Sequence, residues 1–364
     1  MNGDRYTILL VTGLCLTVVL GSSGPSSLVQ SRGLVVGVVY AQSPPFYQGK
    51  TIRIIVGSDS GGLYDLWARL FAKHMPKHIP GNPNMIVQNM PGAGGLAATN
   101  YLYGLTKPDG LTLGMFQAHR YMQQLTGAEE VKFDLRKFSW IGTMEKTEVM
   151  FFVRSDAPYR SFDDILKSSE PLRCGATGST DGTYLLAKIF EETLKAKFNL
   201  VVGYQSGNAI DLAMEKGEVI CRGMIVTGHF SREPFVSWHT KDFDRHLAQS
   251  GQKKDSRMTE VPTLVELMDR YKTADVSRRA AQVILAGNEY GRPMVATPAV
   301  PADRVRTLRE AYSRSLKDSQ LLDEAKQSRL EIEPASGEEL QALTERVMNQ
   351  PPEVIERVKK LVGQ

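Results

Sequence analysis

The chain has 364 residues, of which 42% are apolar and 23% are charged. This length is more than one ordinary domain needs, and the composition is typical of a folded globular protein. The formal net charge is only +4, and like charges form no long block, so we expect no nucleic-acid partner.

The first 41 residues differ from the rest of the chain. Positions 8–20 form an apolar run of 13 residues, which is shorter than the roughly 20 residues that span a bilayer. A second apolar stretch ends at Val39, Tyr40 and Ala41, and small residues occupy the two positions that signal peptidase reads. These features predict an export signal at 1–41 that is cleaved after Ala41, and a periplasmic mature protein. The alternative interpretation is an uncleaved membrane anchor.

The next segment alternates strand and helix patterns. Residues 52–56 (IRIIV) predict a buried strand, and the glycine- and serine-rich loop 57–62 follows it. A helix with apolar residues at helical spacing comes next, with Leu63, Leu66, Trp67, Leu70, Phe71 and Met75 on its stripe. The sequence then predicts a strand at 86–88, a glycine-rich loop at 91–95, a helix at 96–105, a turn at 108–110 and a strand at 111–116.

The same order of strand, loop and helix returns at residues 172–194. The other predicted strands are 149–153, 200–204 and 219–225, and the other predicted helices are 162–167, 211–216 and much of 303–362. Ser161 and Asp164 suit a capping box at the start of the helix at 162–167, and residues 228–280 are expected to be irregular. Two distant copies of one pattern predict an α/β protein with two lobes, and the apolar run 281–286 is expected to return the chain to the first. We expect lobe 1 at 42–152 and 287–364, and lobe 2 at 153–286.

Two of these loops share one chemical character. Loops 57–62 and 177–182 each join the carboxyl end of a strand to the start of a helix. A helix start presents backbone N–H groups without intrahelical partners and the positive end of the helix dipole, which favour an anion. Glycine lets the backbone approach a ligand closely, and ligands of open α/β sheets bind at the carboxyl ends of the strands. The two loops therefore predict an anion site between two lobes.

The sequence lacks the patterns of common enzyme classes. It contains no G-x-x-x-x-G-K-[ST] phosphate loop, no G-x-S-x-G elbow and no C-x-x-C pair,. His74 and His78 are four positions apart, but Pro76 lies between them and breaks the helix that would align them on a metal. We expect these two histidines at the solvated end of a helix. The prediction is a binding protein without catalytic residues, cofactor or metal.

Two cysteines, Cys174 and Cys221, follow the predicted cleavage point. An even pair in an exported protein favours a disulfide bond. Two separate buried thiols are an equal alternative, because free cysteine is commonly buried.

Several motifs resemble, in order, those of the Bug receptors, the substrate-binding receptors of tripartite tricarboxylate transporters. Residues 57–69 (GSDSGGLYDLWAR) resemble the first ligand loop of that family, P-G-G-x-x-D-x-x-A-R. Residues 87–95 (VQNMPGAGG) and 108–113 (PDGLTL) resemble V-x-N-x-P-G-A-G-G and P-D-G-x-T-L in order and spacing. Residues 175–179 and 261–263 are similar to the second loop and the V-P-T segment. The similarity runs from about residue 46 to the end.

The resemblance implies a type II periplasmic-binding fold, in which two α/β lobes are joined by two crossing strands and close over a ligand. It implies a small organic carboxylate as the ligand and membrane transporter subunits as partners of what we expect to be a monomer. A sensor that signals to a membrane kinase is the alternative. The candidate ligand-binding residues, taken from the motif positions and their neighbours, are Ser58, Asp59, Ser60, Gly61, Gly62, Tyr64, Asp65, Thr177, Ser179, Thr180, Tyr204, Asp211 and Arg222.

Three positions depart from the family pattern. Ser60 stands where a proline usually precedes Gly-Gly, Gln205 replaces a common lysine, and Ile220 replaces the aspartate of G-x-V-D. These changes indicate a divergent branch, so the identity of the ligand does not transfer. Arg222 is a candidate because its guanidinium suits a bidentate bond to a carboxylate, and the alternative is an ordinary surface arginine. Tyr64 is expected to form an aromatic wall, and Trp67 to pack in the core.

Overall fold

The structure is a computed structural model that describes residues 44–178, 181–328 and 330–363. The predicted export signal therefore lies outside the described residues. In the part that is described, none of the helices is both long enough and apolar enough to cross a membrane.

The described chain runs through short strands and helices that alternate along most of its length. The elements of its first part are β1 (Thr51–Val56), α1 (Leu63–His74), β2 (Asn84–Asn89), α2 (Leu96–Gly104), β3 (Thr112–Met115), α3 (Arg120–Thr126) and β4 (Ser139–Thr143). The elements of its middle part are β5 (Val149–Arg154), α4 (Phe162–Lys167), β6 (Leu172–Ala176), α5 (Gly182–Leu194), β7 (Phe198–Val202), α6 (Gly207–Glu215), β8 (Cys221–Ile225), α7 (Val226–Ser231), α8 (Phe235–Thr240), β9 (Asp244–Gln249), α9 (Leu264–Arg270) and α10 (Asp275–Tyr290). The elements of its last part are β10 (Pro293–Ala296), α11 (Ala302–Ser315), α12 (Ser319–Gln327), β11 (Ala335–Ser336), α13 (Gly337–Met348) and α14 (Pro352–Leu361).

The strands form two sheets. One has the order β11-β4-β10-β3-β1-β2, and the other has the order β7-β6-β8-β5-β9. In the first sheet β1 is parallel to β2 and β3, and in the second β6 is parallel to β7 and β8. The loops that follow each parallel set therefore leave the same edge of their sheet, where α/β proteins bind ligands. The predicted two-lobed α/β fold is confirmed.

Helix α1 packs on the first sheet through part of its predicted stripe. Trp67 and Phe71 are fully buried, as the pattern predicts, and Phe71 stacks on Tyr312 of α11. Leu63 and Leu66 are instead 47% and 39% exposed. They lie in the first turn, at the carboxyl edge of the strands, and apolar side chains at such an edge are available to a ligand.

The chain passes between the sheets in two places. After β4, Glu145 bridges to Glu333, and the Thr147 amide donates to the Asn288 carbonyl at 3.0 Å. The return path is helix α10, so the second connection is helical where a crossing strand was expected. The apolar run 281–286 lies inside this helix. The lobe boundaries expected at 152/153 and 286/287 fall inside β5 and α10. Breaks in the sequence pattern do not show where a continuous strand or helix passes from one lobe to the other.

Three further expectations need correction. The segment 228–280, expected to be irregular, contains α7, α8, β9, α9 and the start of α10, because elements of six or seven residues are too short to show a clear period. His74 is buried and lies 2.9 Å from Glu324, and His78 lies 2.9 Å from Asp318. These two histidines therefore pair with α12 and its N-cap residue instead of facing solvent.

Of the two open alternatives for the cysteines, the structure has the disulfide. Cys174 of β6 and Cys221 of β8 are register partners on parallel strands, with Cα atoms 4.6 Å apart. The bond is fully buried and fastens the centre of the second sheet. The capping box of α4 at Ser161 and Asp164 is also present as predicted.

Candidate functional site

The loop between β1 and α1 is organised around the buried carboxylate of Asp65. Its Oδ2 accepts hydrogen bonds from the Gly61 amide at 2.8 Å and from Arg69 Nε at 2.8 Å. Its Oδ1 accepts from Asn89 Nδ2 at 2.9 Å, and Asn89 Nδ2 also reaches the Ser58 carbonyl at 3.0 Å. Both oxygens of Asp65 are thus engaged inside the protein. Asp65 was predicted as a ligand contact, but its geometry is that of a residue that holds the loop in shape.

The charge of Asp65 gives a prediction about pH. Burial raises the pKa of the Asp65 carboxyl, but hydrogen bonds from Arg69, Gly61 and Asn89 outweigh it and lower the pKa to about 2. A depressed pKa contributes stability above the unfolded value near 3.8, and this contribution is lost as the pH falls through 2. Asp65→Asn should therefore lower the free energy of unfolding by about 2 kcal/mol at pH 7.

Urea denaturation of the wild type and Asp65→Asn between pH 7 and pH 2 measures this effect. The difference between the two proteins should shrink below pH 4. The exposed neighbour Asp59 supplies the matched control, since Asp59→Asn should change stability by less than about 0.5 kcal/mol. If Asp65→Asn lowers the free energy of unfolding by the same amount at pH 7 and at pH 2, the loss comes from the shape of the side chain and not from its charge.

Two glycines let the loops of this lobe touch. A Cβ on Gly57 would lie 3.1 Å from the Cα of Gly95, and a Cβ on Gly95 would lie 1.8 Å from Gln117 Oε1. Gly95 also has a φ of 94°, which favours glycine. Gln117 Nε2 donates to the Gly57 carbonyl at 3.0 Å, and buried Arg120 donates to the Gly94 carbonyl at 2.7 Å. The loops after β1, β2 and β3 therefore form one connected surface.

This surface offers hydrogen-bond donors. Ser58 Oγ is buried and has no hydrogen-bond partner among the described residues. Asp59, Ser60, Gly61 and Gly62 are exposed, and α1 begins directly after them without a side-chain cap. The first N–H groups of a helix have no intrahelical acceptor, so they are available to an anion.

Tyr64 closes this surface on the side of the interlobe connection. Its hydroxyl donates to the Gly291 carbonyl and accepts from the Ala118 amide, both at 3.3 Å. The Arg292 guanidinium lies 5.9 Å from the ring centroid and pairs with Glu145 at 2.8 Å. Burial raises the pKa of the Tyr64 hydroxyl, so the hydroxyl stays protonated. Its two hydrogen bonds hold the ring in place as a neutral wall.

The second predicted loop, 177–182, contains a carboxylate at its own helix start. Asp181 is the N-cap of α5, and its carboxylate accepts from the Thr183 amide at 2.7 Å and from Thr177 Oγ1 at 3.0 Å. A carboxylate at this position satisfies helix-start donors that a ligand would otherwise use. Thr177 is exposed at the end of β6, and Ser179 and Thr180 lie outside the described residues. The described part of loop 177–182 is therefore less suited to an anion than the loop at 57–62.

Arg222 and Asp211 pair with each other. Arg222 of β8 and Asp211 of α6 are both buried and form an ion pair. Arg222 Nη1 also donates to the Gly207 carbonyl at 3.1 Å. Burial lowers the pKa of Arg222 to about 10, while the Asp181 carboxylate opposes this shift. The two residues predicted as separate ligand contacts thus fasten the start of α6 to β8, and the half-buried Tyr204 precedes that helix.

The model of the tripartite tricarboxylate transporter family receptor, TctC, matches residues 67–357. The chain belongs to this family. Its members are extracytoplasmic solute-binding receptors. A UPF0065 protein from the TAR-I ttuE-ttuC' intergenic region of Agrobacterium vitis is 26% identical over 166 residues, which are 44% of this chain and 47% of that protein. The chain therefore spans about half the length of that curated relative.

Solved structures share the fold of this TctC receptor chain. A TctC solute-binding protein from Polaromonas, without ligand, has a TM-score of 0.68 at 21% identity and covers 87% of this chain and 99% of its own. An R. palustris protein with adipate has a TM-score of 0.54 at 17% identity, with 86% and 97% covered. The periplasmic binding protein BugD has a TM-score of 0.51 at 19% identity, with 86% and 98% covered. At these identities the likeness shows the fold alone.

A separate groove of about 730 Å³ is lined mainly by residues of the segment 252–257, the segment 331–335 and helix α13. Its lining has six carboxylates and five cationic side chains, among them Glu148, Glu289, Glu333, Lys146 and Arg346. Burial and, to a smaller extent, the Glu333 carboxylate raise the pKa of Glu148 to about 7. Because this groove already disfavours the charged form of its own carboxyl groups, it is unsuited to a carboxylate ligand. Of the predicted ligand-binding residues that the structure describes, none lines this groove.

Sequence reasoning missed the side chains that shape the first loop. Hydrogen bonds of Asn89 and Gln117 connect β2 and β3 to loop 57–62. The Glu145 carboxylate accepts a hydrogen bond from Trp67 Nε1 at 3.2 Å. Asn89 stands in the V-x-N-x-P-G motif, so that motif could have indicated it. Gln117 and Glu145 carry no such local signal, because their roles depend on contacts between distant elements.

Proposed function

We propose that this chain is a periplasmic receptor that binds a small organic carboxylate and delivers it to a tripartite tricarboxylate-type membrane transporter. The observation that carries the proposal is the loop at 57–62. It combines exposed glycines, a buried Ser58 hydroxyl that has no partner in the described part of the chain, and a helix start without a side-chain cap. These donors, together with the positive end of α1, favour a carboxylate.

Arginines near the site are engaged with the protein. Arg69 pairs with Asp65, and Arg120 donates to the Gly94 carbonyl. Arg222 pairs with Asp211. We therefore infer that neutral donors of residues 58–62, apart from the Gly61 amide that Asp65 holds, meet the ligand charge directly. Thr177, Ser179, Thr180 and Tyr204 complete the site from the second lobe. Asp65, Asp211 and Arg222 act as positioning residues.

Exposed apolar side chains lie at the carboxyl edges of both sheets. Leu63 begins α1, and Ile225, 39% exposed, ends β8 at the carboxyl edge of the second sheet. Apolar lining with a few placed polar groups is typical of small-molecule sites. The R. palustris neighbour was solved with adipate, a dicarboxylate with an aliphatic body. We infer an organic acid of this kind, captured by a monomer after removal of the export signal at Ala41.

The prediction is that at least one dicarboxylate raises the melting temperature of the purified chain 42–364, since a ligand that binds only the folded state stabilises it. Ser58→Ala should then weaken the affinity for that acid by about 1–3 kcal/mol, because the hydroxyl meets a charged group. Calorimetric titration measures the affinity.

Ser313→Ala is the matched control, because Ser313 is exposed on α11, outside the site. Its affinity should equal that of the wild type. Equal affinities of Ser58→Ala and wild type would remove Ser58 from the site, and a panel of organic acids without any thermal shift would overturn the proposed function.

A further inference from the structure

Three histidines and one aspartate converge in the second lobe, away from the loops described above. His229 lies on α7, His239 on α8, and Asp244 and His246 on β9. One ligand atom from each of the four lies within 4.8 Å of all the others. Asp244 and His246 are two positions apart on a strand, so they face the same side.

The distances within this cluster suit one metal ion. His229 Nε2 and His246 Nε2 are 3.1 Å apart, and they lie 2.9 Å and 3.1 Å from Asp244 Oδ2. Ligand bonds of about 2.0–2.1 Å to tetrahedral zinc require ligand atoms about 3.3 Å apart. His239 Nδ1 lies 4.0 Å from Asp244 Oδ1, the other oxygen of that carboxylate, so its ring faces the same space.

The surroundings of the cluster favour a built site. His229 is fully buried, and the Asp244 side chain is 1% exposed. Asp244 Oδ1 is buried without a hydrogen-bond partner among the described residues. The rings are fixed by aromatic neighbours, since Phe152 lies 4.7 Å from His229 and Phe230 stacks on His239 at 4.9 Å.

We propose that His229, His239, Asp244 and His246 bind a divalent transition-metal ion, with Zn²⁺ as the preferred ion. Imidazole and carboxylate ligands suit zinc, and four protein ligands leave no open coordination position, as in a structural site. The ion would fasten α7 and α8 to the edge strand β9. Because α7 begins directly after β8, it would also fix one strand end of the second lobe.

The test uses tag-free chain 42–364, freed of metal with a chelator and then dialysed. Mass spectrometry should find one bound Zn²⁺ per chain after reloading, and Co²⁺ should give the intense visible absorption of a tetrahedral site. Zn²⁺ should also raise the melting temperature of the protein. His246→Gln should weaken Zn²⁺ binding by about 100-fold or more, since even residues behind the ligands contribute 10–100-fold.

His246 is chosen because its side chain is 16% exposed, so its replacement spares the core. His78→Gln is the control, since His78 pairs with Asp318 outside the cluster, and it should bind Zn²⁺ as the wild type does. Binding of less than one tenth of an equivalent, or equal affinities of His246→Gln and wild type, would show instead a hydrogen-bonded histidine–aspartate network without metal. Neither outcome would bear on carboxylate binding.

Discussion

Arg222→Ala is expected to lower the free energy of unfolding by about 3–5 kcal/mol, because it leaves the buried Asp211 carboxylate without its partner. Both side chains are buried, and Arg222 also holds the Gly207 carbonyl at the start of α6. Urea denaturation followed by circular dichroism measures the loss. A stability equal to that of the wild type would contradict the ion pair.

A double variant separates the pair from the ligand site. Arg222→Met with Asp211→Leu removes both charges, and well-packed apolar replacements of a buried pair are often neutral or stabilising. This variant should recover most of the stability and keep its affinity for the carboxylate within about tenfold. A folded double variant that loses about 2–5 kcal/mol of binding energy would make Arg222 a direct ligand contact.

Loss of the disulfide is the second large effect. Cys174 and Cys221 are 47 positions apart, and closing a loop of this length stabilises a protein by about 4 kcal/mol through the unfolded state. Cys174→Ala with Cys221→Ala should lower the free energy of unfolding by about this amount, measured by urea denaturation.

Thiol counting supplies the control. Denatured, unreduced chain 42–364 should contain no free thiol, because its two cysteines are joined. Two reactive thiols per chain would contradict the disulfide, and an unchanged stability of the double variant would contradict the expected size of the effect.

The elements that could be predicted were those with a strong local period. The β-branched run at 52–56 predicted β1, the run LRCGA at 172–176 predicted β6, and the glycines after them predicted the loops. The fold and the family followed, because the order and spacing of these motifs are local properties of the sequence. Helices α7 and α8 were not predicted, since six residues cannot show a helical period.

The roles of polar residues could not be predicted in the same way. Asp65 was assigned to the ligand from its motif position, but its bond to Asn89 depends on how α1 lies over β2. Arg222 and Asp211 were chosen separately, and their pairing depends on the contact of α6 with β8. The four residues of the histidine cluster span 229–246 without a metal-binding spacing, because two short helices and a strand bring them together.

Calorimetric titration of chain 42–364 with adipate and its shorter homologues, beside the uncharged diamides of the same acids, tests the central claim most directly. Each diamide keeps the length and aliphatic body of its acid but removes the charge that loop 57–62 is expected to recognise. We expect binding of one ligand per chain for at least one acid, and at least 100-fold weaker binding of its diamide. Equal binding of acid and diamide, or no binding of any acid, would contradict a carboxylate receptor.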